Sequence, residues 1–315
     1  MPREKEDEEE EEEASRHVIL FFGRLPTPGK CKTRLARDVR DETLAARLYK
    51  SCAERVLKRF RRETVDDCVI NGDGAKSFSS RCSFRLVFYV AEKEEVEQVR
   101  AWLKESLCLP KVSVGDDEEE EEEEAGPPVS SSTKIEVKAQ DDRTSDLGLR
   151  MIRALNDEIS SSSSSPENGS GPDSESHTIF HVVGTDYPDA SWERLKESTK
   201  TMEGGRDHYS IKIGFGKAED GGFWHMSTTG RLSESLFGSE EEKSVRWSTN
   251  HTLEDAKNAA KKIGMIPCVE EACDPLCDID TLEDIRKWII ATAKMEEKSR
   301  VDVEDEFTRL VKQVV

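Results

Sequence analysis

Residues 17–35 constrain the fold more than any other stretch. His17 is followed by Val18, Ile19, Leu20, Phe21 and Phe22, five apolar residues of branched and aromatic type, and then by Gly23. A run of this kind, without polar alternation, is what a parallel strand covered on both faces requires. The segment Pro26-Thr27-Pro28-Gly29 cannot continue as helix, because each proline biases the residue before it towards extended backbone. Lys30, Lys32 and Arg34 then fall within five positions, just where a helix is about to begin. Strand, Gly-containing loop, clustered cations and helix start together suit a bound phosphate. A solvated basic loop would contain the same residues. Its place at the carboxyl end of the first strand of an α/β sheet, where ligands bind, favours the anion site. It is not a Walker A loop, which needs Gly at 24 and Ser or Thr at 31, where this chain has Arg24 and Cys31.

Strands and helices alternate along the remainder. Further strands are expected over 84–90, 134–139, 178–183, 210–214, 223–227 and 266–269. Helices are expected over 41–62, 92–107, 144–159, 191–202, 253–263, from the 278–284 segment to 293, and over 303–314. The helix over 41–62 carries Leu44, Leu48, Cys52, Val56 and Phe60 at fourfold spacing. Alternation of this kind predicts an α/β fold, with a mostly parallel central sheet and helices on both faces. One domain over 16–298 is expected. An acidic tail over 1–15 precedes it, low-complexity insertions at 115–133 and 160–176 interrupt it, and a C-terminal helix over 299–315 follows.

The net charge of −20 does not describe the folded part. Residues 6–13 and 116–124 hold seventeen acids between them, and without these runs the balance falls to −3. Such runs repel themselves and are expected to stay disordered as solvated spacers. No basic stripe with interleaved aromatics suggests nucleic acid as a partner, and no apolar run is long enough to span a membrane. The eight cysteines include only one closely spaced pair, Cys273 and Cys277. Without a histidine knuckle nearby, they read as structural thiols rather than zinc ligands. No signal peptide precedes the domain, so reduced thiols and a cytoplasmic location are expected.

Three acidic sites fall where strands end. Asp186 follows the strand over 178–183 between Gly184 and Pro188, and can reach the crevice above the sheet. Helix capping would be served better by Asp189 or Ser191. Asp220 lies in Glu219-Asp220-Gly221-Gly222, where glycines let the backbone approach a ligand, although a plain Asp-Gly hairpin turn has the same sequence. Asp280 opens Asp280-Thr281-Leu282-Glu283-Asp284. Capping accounts there for Thr281 and Asp284 and leaves Asp278 and Asp280 spare. Carboxylates beside Lys30, Lys32 and Arg34 would suit a diphosphate bound with Mg²⁺ or Mn²⁺.

Six motifs then carry a resemblance: Phe22-Gly-Arg-Leu-Pro-Thr-Pro-Gly-Lys-Cys-Lys-Thr-Arg-Leu35, Leu147-Gly-Leu-Arg-Met151, Val183-Gly-Thr-Asp-Tyr-Pro-Asp189, Ala218-Glu-Asp-Gly-Gly-Phe223, Trp247-Ser-Thr249 and Asp278-Ile-Asp-Thr-Leu-Glu-Asp284. Their order, over residues 18 to about 288, resembles the DUF2064 family. That family is also called the radical-SAM/selenodomain-associated transferase 1 family, and some of its members are labelled arsenosugar-biosynthesis glycosyltransferases. The resemblance implies a Rossmann-like GT-A domain of the nucleotide-diphospho-sugar transferase superfamily. By motif position, Gly29, Lys30, Lys32 and Arg34 would hold donor phosphates, and Asp186 and Asp280 would hold the metal. Glu219, Asp220, Gly221, Gly222 and Trp247 would border the acceptor or sugar, with Asp220 and Arg34 acting in catalysis. The chain departs from the family at Tyr187, where Cys is usual, at Lys217, where Pro is usual, and at Leu149, where Glu is usual.

The expected function is metal-assisted transfer of a sugar from a nucleotide-diphosphate donor to a small-molecule acceptor. Two readings stand beside it: a nucleotidyltransferase joining a nucleoside triphosphate to a phosphorylated small molecule, and a non-catalytic nucleotide-sugar-binding protein. The sequence leaves the oligomeric state open.

Overall fold

The computed structural model describes residues 15–70, 83–107, 135–162, 178–203, 211–238, 244–296 and 305–315. The acidic tail up to residue 14, the 115–133 insertion and residues 163–176 of the second insertion lie outside them. Ser160, Ser161 and Ser162, expected in that insertion, instead complete the last turn of a helix, α4 (Leu147–Ser162). The Ser160 hydroxyl donates to the Asn156 carbonyl at 2.7 Å, which lets a serine continue the turn.

The first strand is β1 (Arg16–Gly23), interior to the sheet. The 7-stranded sheet is built outward from it, with β2 (Ser83–Val90) and β3 (Ile135–Ala139) on one side. On the other side lie β4 (Thr178–Gly184), β6 (Phe223–Thr228), β5 (Lys212–Lys217) and β7 (Ile266–Cys268). Strands β1 to β4 pair in parallel, as do β5 and β7, and β6 runs antiparallel to both β4 and β5. The sheet is therefore mostly parallel, as the alternation predicts.

Alternate residues of β1 face opposite layers, which is why residues 18–22 are all apolar. Val18 and Leu20 join a core with Ile152 and Leu155 of α4 and Ala256 and Ala260 of α6 (Thr252–Lys262). Ile19 and Phe21 join another core formed by α2 (Glu42–Ile70), α3 (Val96–Ser106) and α5 (Trp192–Glu203). A further cluster joins α1 (Thr33–Val39) and α2 to α7 (Leu282–Glu296) and the C-terminal α8 (Glu306–Val314). Within it Leu35, Leu48, Ile279, Ile285 and Phe307 are buried.

Helix α2 runs eight residues beyond the expected end at 62. Its added turns are held by tertiary partners. Glu63 accepts from the Trp192 backbone N–H at 2.8 Å, and Asp67 pairs with Lys196 at 3.0 Å. The last helix begins at Glu306, where the Asp305 carboxylate caps it by accepting from Thr308 N–H at 2.9 Å.

After β1 the chain moves outward through β2 and β3. It then returns to β4 on the other flank of β1. The carboxyl ends of β1 and β4 thus flank the point where strand order reverses, which is where open α/β sheets leave a crevice.

Candidate active site

A cleft of about 380 Å³ opens at that point. Phe22 and Gly23 from the end of β1 line it, together with Arg24, Lys30 and Lys32 from the following loop and Arg34 from the first turn of α1. Thr185 and Asp186 enter from the end of β4, and Asp280 from the approach to α7.

The two later segments are docked on each other. The Ile279 backbone N–H donates to the Asp186 carbonyl at 3.1 Å, which sets Asp280 beside Asp186. Asp284 accepts from the N–H of Thr281 at 2.8 Å and from its hydroxyl at 2.7 Å. Those two residues form the helix cap, and Asp280 is left to the cleft. Ser191, rather than Asp186, caps α5 by accepting from Arg194 N–H at 3.1 Å.

Lys32 is the centre of the arrangement. Its ammonium donates to Asp186 Oδ2 at 2.8 Å and to Asp280 Oδ1 at 2.5 Å. The side chain is only 8% exposed, whereas the two carboxylates are 33% and 37% exposed. Burial alone would discharge the ammonium, but the two carboxylates outweigh it and hold its pKa well above the usual lysine value. The backbone at Lys32 is left-handed, with φ 46° and ψ 47°, a conformation that costs a lysine energy and that clusters at functional sites. Arg34 approaches Asp280 at 3.6 Å from the solvent side, so the cations of the first loop and the acids of two later strand ends do converge. Lys30 differs from them: it is 71% exposed and lies 3.7 Å from Glu95.

Asp278, two residues before Asp280, is half-buried. Burial and the neighbouring charges of Asp186 and Asp280 push its pKa up to about 7. Lys32 opposes that rise and Asp220 adds to it. Tyr187, where the family usually has Cys, is raised well above the normal tyrosine value by burial and by the fields of Asp186, Asp278, Asp220 and Asp280.

Glu219, Asp220, Gly221 and Gly222 form the turn between β5 and β6. Asp220 accepts from Gly222 N–H at 2.8 Å, and the Ala218 N–H donates to the Gly222 carbonyl at 3.1 Å. The hairpin turn that the Asp-Gly pair allowed is thus present. Gly221 has φ 84°, and a Cβ there would lie 2.4 Å from the Asn250 carbonyl oxygen. That close approach ties the turn to the loop bearing Trp247. Trp247 is half-buried, with ring centroids 6.1 Å from Phe223 and 5.4 Å from Phe237. Gly148 of α4 packs beneath it so closely that a Cβ would come within 2.4 Å of the indole.

Tyr49 of α2 went unnoticed in the sequence. Its hydroxyl accepts from the Arg24 backbone N–H at 2.8 Å and lies 3.0 Å from Thr185 Oγ1, whose own hydroxyl donates to the Phe22 carbonyl at 3.2 Å. The three bonds fasten the basic loop to the ends of both central strands. A tyrosine inside a helix's apolar stripe was the available signal, because a buried phenol has to find a partner. Tyr49→Phe keeps the ring and frees the Arg24 N–H. It is expected to cost about 1–2 kcal/mol of stability and to weaken pyrophosphate binding, as measured by urea unfolding and by calorimetric titration.

The fold is shared with a solved structure described as a nucleotide-diphospho-sugar transferase. The chain superposes on the solved structure of a candidate nucleotide-diphospho-sugar transferase from Desulfovibrio desulfuricans G20. The TM-score is 0.55 and the identity 18%, with 95% of each chain covered. A cytidylyltransferase from Leptospira borgpetersenii serovar Hardjo-bovis gives a TM-score of 0.41 at 11% identity, covering 96% of this chain and 94% of that one. No curated protein matches the sequence. Residues 98–249 match the family model DUF2064, described as an uncharacterized protein conserved in bacteria. The match takes in Gly148, Asp186, Asp220 and Trp247; the basic loop and Asp280 lie outside it.

Proposed function

We propose that this chain is a glycosyltransferase of GT-A type, moving a sugar from a nucleotide-diphosphate donor to a small-molecule acceptor with the help of Mg²⁺ or Mn²⁺. The observation that carries this reading is the meeting of Lys32 and Arg34 with Asp186 and Asp280 in one cleft at the switch point of the sheet. The likeness to the candidate nucleotide-diphospho-sugar transferase of Desulfovibrio desulfuricans G20 supports it.

The residues present fit a divalent cation. Two open carboxylates already share one positive charge between them. Among the described residues no group of three or more His, Cys, Asp or Glu could hold a metal alone. That suits an ion bound through one or two carboxylates, with phosphate oxygens and water completing its shell. Asp186 and Asp280 would hold it, and when bound it would neutralise charge on the diphosphate.

Arg34, Lys30 and Lys32 bind the diphosphate electrostatically and stabilise the negative charge that grows on it as the glycosidic bond breaks. Gly29, with φ 76°, gives the loop the turn that would bring its backbone to the phosphates. Trp247 and Phe223, packed edge to face, would border the sugar or acceptor, with Glu219, Asp220, Gly221 and Gly222 beside them. Asp220 among these orients the acceptor hydroxyl.

Among the described residues no helix is long and apolar enough to cross a membrane. Cys31, Cys52, Cys268, Cys273 and Cys277 are free thiols, which supports a reducing, cytoplasmic setting.

The test is a panel of nucleotide sugars and nucleoside triphosphates incubated with the protein and Mn²⁺. Release of nucleoside diphosphate is expected, and Asp186→Asn should lower its rate at least about 100-fold. Pyrophosphate release instead would replace this reading with the nucleotidyltransferase one, and tight donor binding without turnover would replace it with the binding protein.

A further inference from the structure

We propose that Lys32 is a resident counter-ion which a divalent cation has to displace, so that metal and donor phosphates load the site together. The inference rests on the function proposed above and concerns the regulation of the same cleft.

The ammonium sits on Asp186 Oδ2 and Asp280 Oδ1, the oxygens of the only carboxylate pair on the cleft wall among the described residues. A divalent ion binds carboxylate oxygen at about 2.0–2.6 Å, so it cannot enter between these oxygens while the ammonium lies 2.5–2.8 Å from both. The lysine is not a casual surface partner. Its stem is enclosed, lining a small void with Leu35, Leu48, Tyr49, Cys52 and Ile279. The left-handed backbone at Lys32 aims the chain inward against its own preference.

Displacement without an anion present leaves a lysine cation next to a divalent cation in a half-closed pocket, with Arg34 adding a third positive group. That is an unfavourable state. With a diphosphate in the cleft, the released ammonium exchanges carboxylate oxygens for phosphate oxygens and the repulsion disappears. Metal affinity and phosphate affinity are then coupled, and the coupling is reciprocal. Lys30 has no part in this exchange, because it is exposed and lies beside Glu95.

The experiment measures Mn²⁺ binding to the full chain by the loss of its free paramagnetic signal, without nucleotide. Lys32→Met keeps the stem and removes the charge. It is expected to bind Mn²⁺ at least about tenfold more tightly than the unsubstituted protein, since no cation then competes for the pair. Lys30→Met should leave the affinity unchanged, and adding Asp280→Asn to Lys32→Met should remove the gain. Equal or weaker Mn²⁺ binding by Lys32→Met overturns the inference.

A second measurement avoids the variant altogether. Acetylation of Lys32 in the unsubstituted protein, followed by peptide mass, is expected to be slow in the metal-free state and several-fold faster at saturating Mn²⁺. The same rate in both states overturns the inference. Tighter Mn²⁺ binding by Lys32→Met without donor turnover would sustain the exchange and remove the proposed transferase. Turnover with unchanged Mn²⁺ affinity would do the reverse.

Discussion

Replacing Glu158 with alanine is expected to lower the unfolding free energy by about 3 kcal/mol, at the lower end of the range for breaking a buried ion pair. Glu158 lies on the last turns of α4 with no exposed side-chain surface. Its carboxylate accepts from the Tyr89 hydroxyl at 2.7 Å, from the Lys138 ammonium at 2.5 Å and from the Arg85 guanidinium. Burial by itself would raise its pKa, and these donors more than offset that, holding the carboxyl below its usual value. Removing the acid leaves two cations facing a cavity at the β2–β3 edge of the sheet. The loss stays near the low end because Lys138 keeps access to water and Arg85 retains Glu136, at 2.8 Å. Urea unfolding checks the expectation: a midpoint shift worth less than about 1 kcal/mol would mean the buried acid does not hold α4 to the sheet. Because α4 also carries Gly148 beneath Trp247, the same variant should loosen the packing of that indole.

Stability is expected to fall steeply below pH 6.5. A chain of hydrogen bonds runs through the sheet from Ser15 through His17, His181, Ser227 and His225 to Ser198. One direction satisfies it throughout: His17 donates to His181, His181 to Ser227, Ser227 to His225, His225 to Ser198, and Ser198 to the Leu195 carbonyl at 3.2 Å. That pattern requires all three imidazoles to be neutral. Burial lowers the His17 pKa to about 4, against a smaller raising effect from Asp67, and lowers that of His225 to about 3. Burial, together with the two neighbouring imidazoles, lowers His181 well below its usual value.

The unfolded chain therefore takes up protons near pH 6.5 that the folded chain refuses until about pH 4. Each such histidine costs about 1.4 kcal/mol per pH unit across that window, roughly 4 kcal/mol per unit for three. Asp278, protonated in the folded state up to about pH 7, works in the opposite sense, but it is one group against three. Two pH units are thus enough to exhaust the stability of an ordinary domain. Melting temperatures between pH 7.5 and 4.5 check this. A flat profile would contradict the neutral chain, and His17→Phe, beside Phe84 and Trp192, should reduce the slope by about a third.

The frame was legible because β1 announces itself: its five apolar residues feed both layers, and the crevice follows from where such strands end. Asp186, Lys32, Arg34 and Asp280 could be picked out because each stands directly after a strand or before a helix, where packing alone does not explain it. The sequence could not rank the three basic residues. Whether a lysine reaches a carboxylate 248 positions away depends on how α7 docks, and only the fold reveals that Lys32 is enclosed while Lys30 is exposed beside Glu95. Tyr49 and Glu158 were hidden for a related reason. In a helix pattern an aromatic counts as core and an acid as surface, and their partners lie on other elements. The extra turns of α2 rest on Trp192 and Lys196, more than a hundred residues downstream.

The distance in sequence between Lys32 and Asp280 also sets an order of events during synthesis. The cation and its strand come first, Asp186 follows 154 residues later, and Asp280 lies 248 residues beyond Lys32. Helix α8 then closes over the back of that junction through Phe307, Leu310 and Val311. A chain cut between β7 and Asp280 holds all seven strands yet lacks one acid of the charge pair, so the pair closes only after that segment has been made.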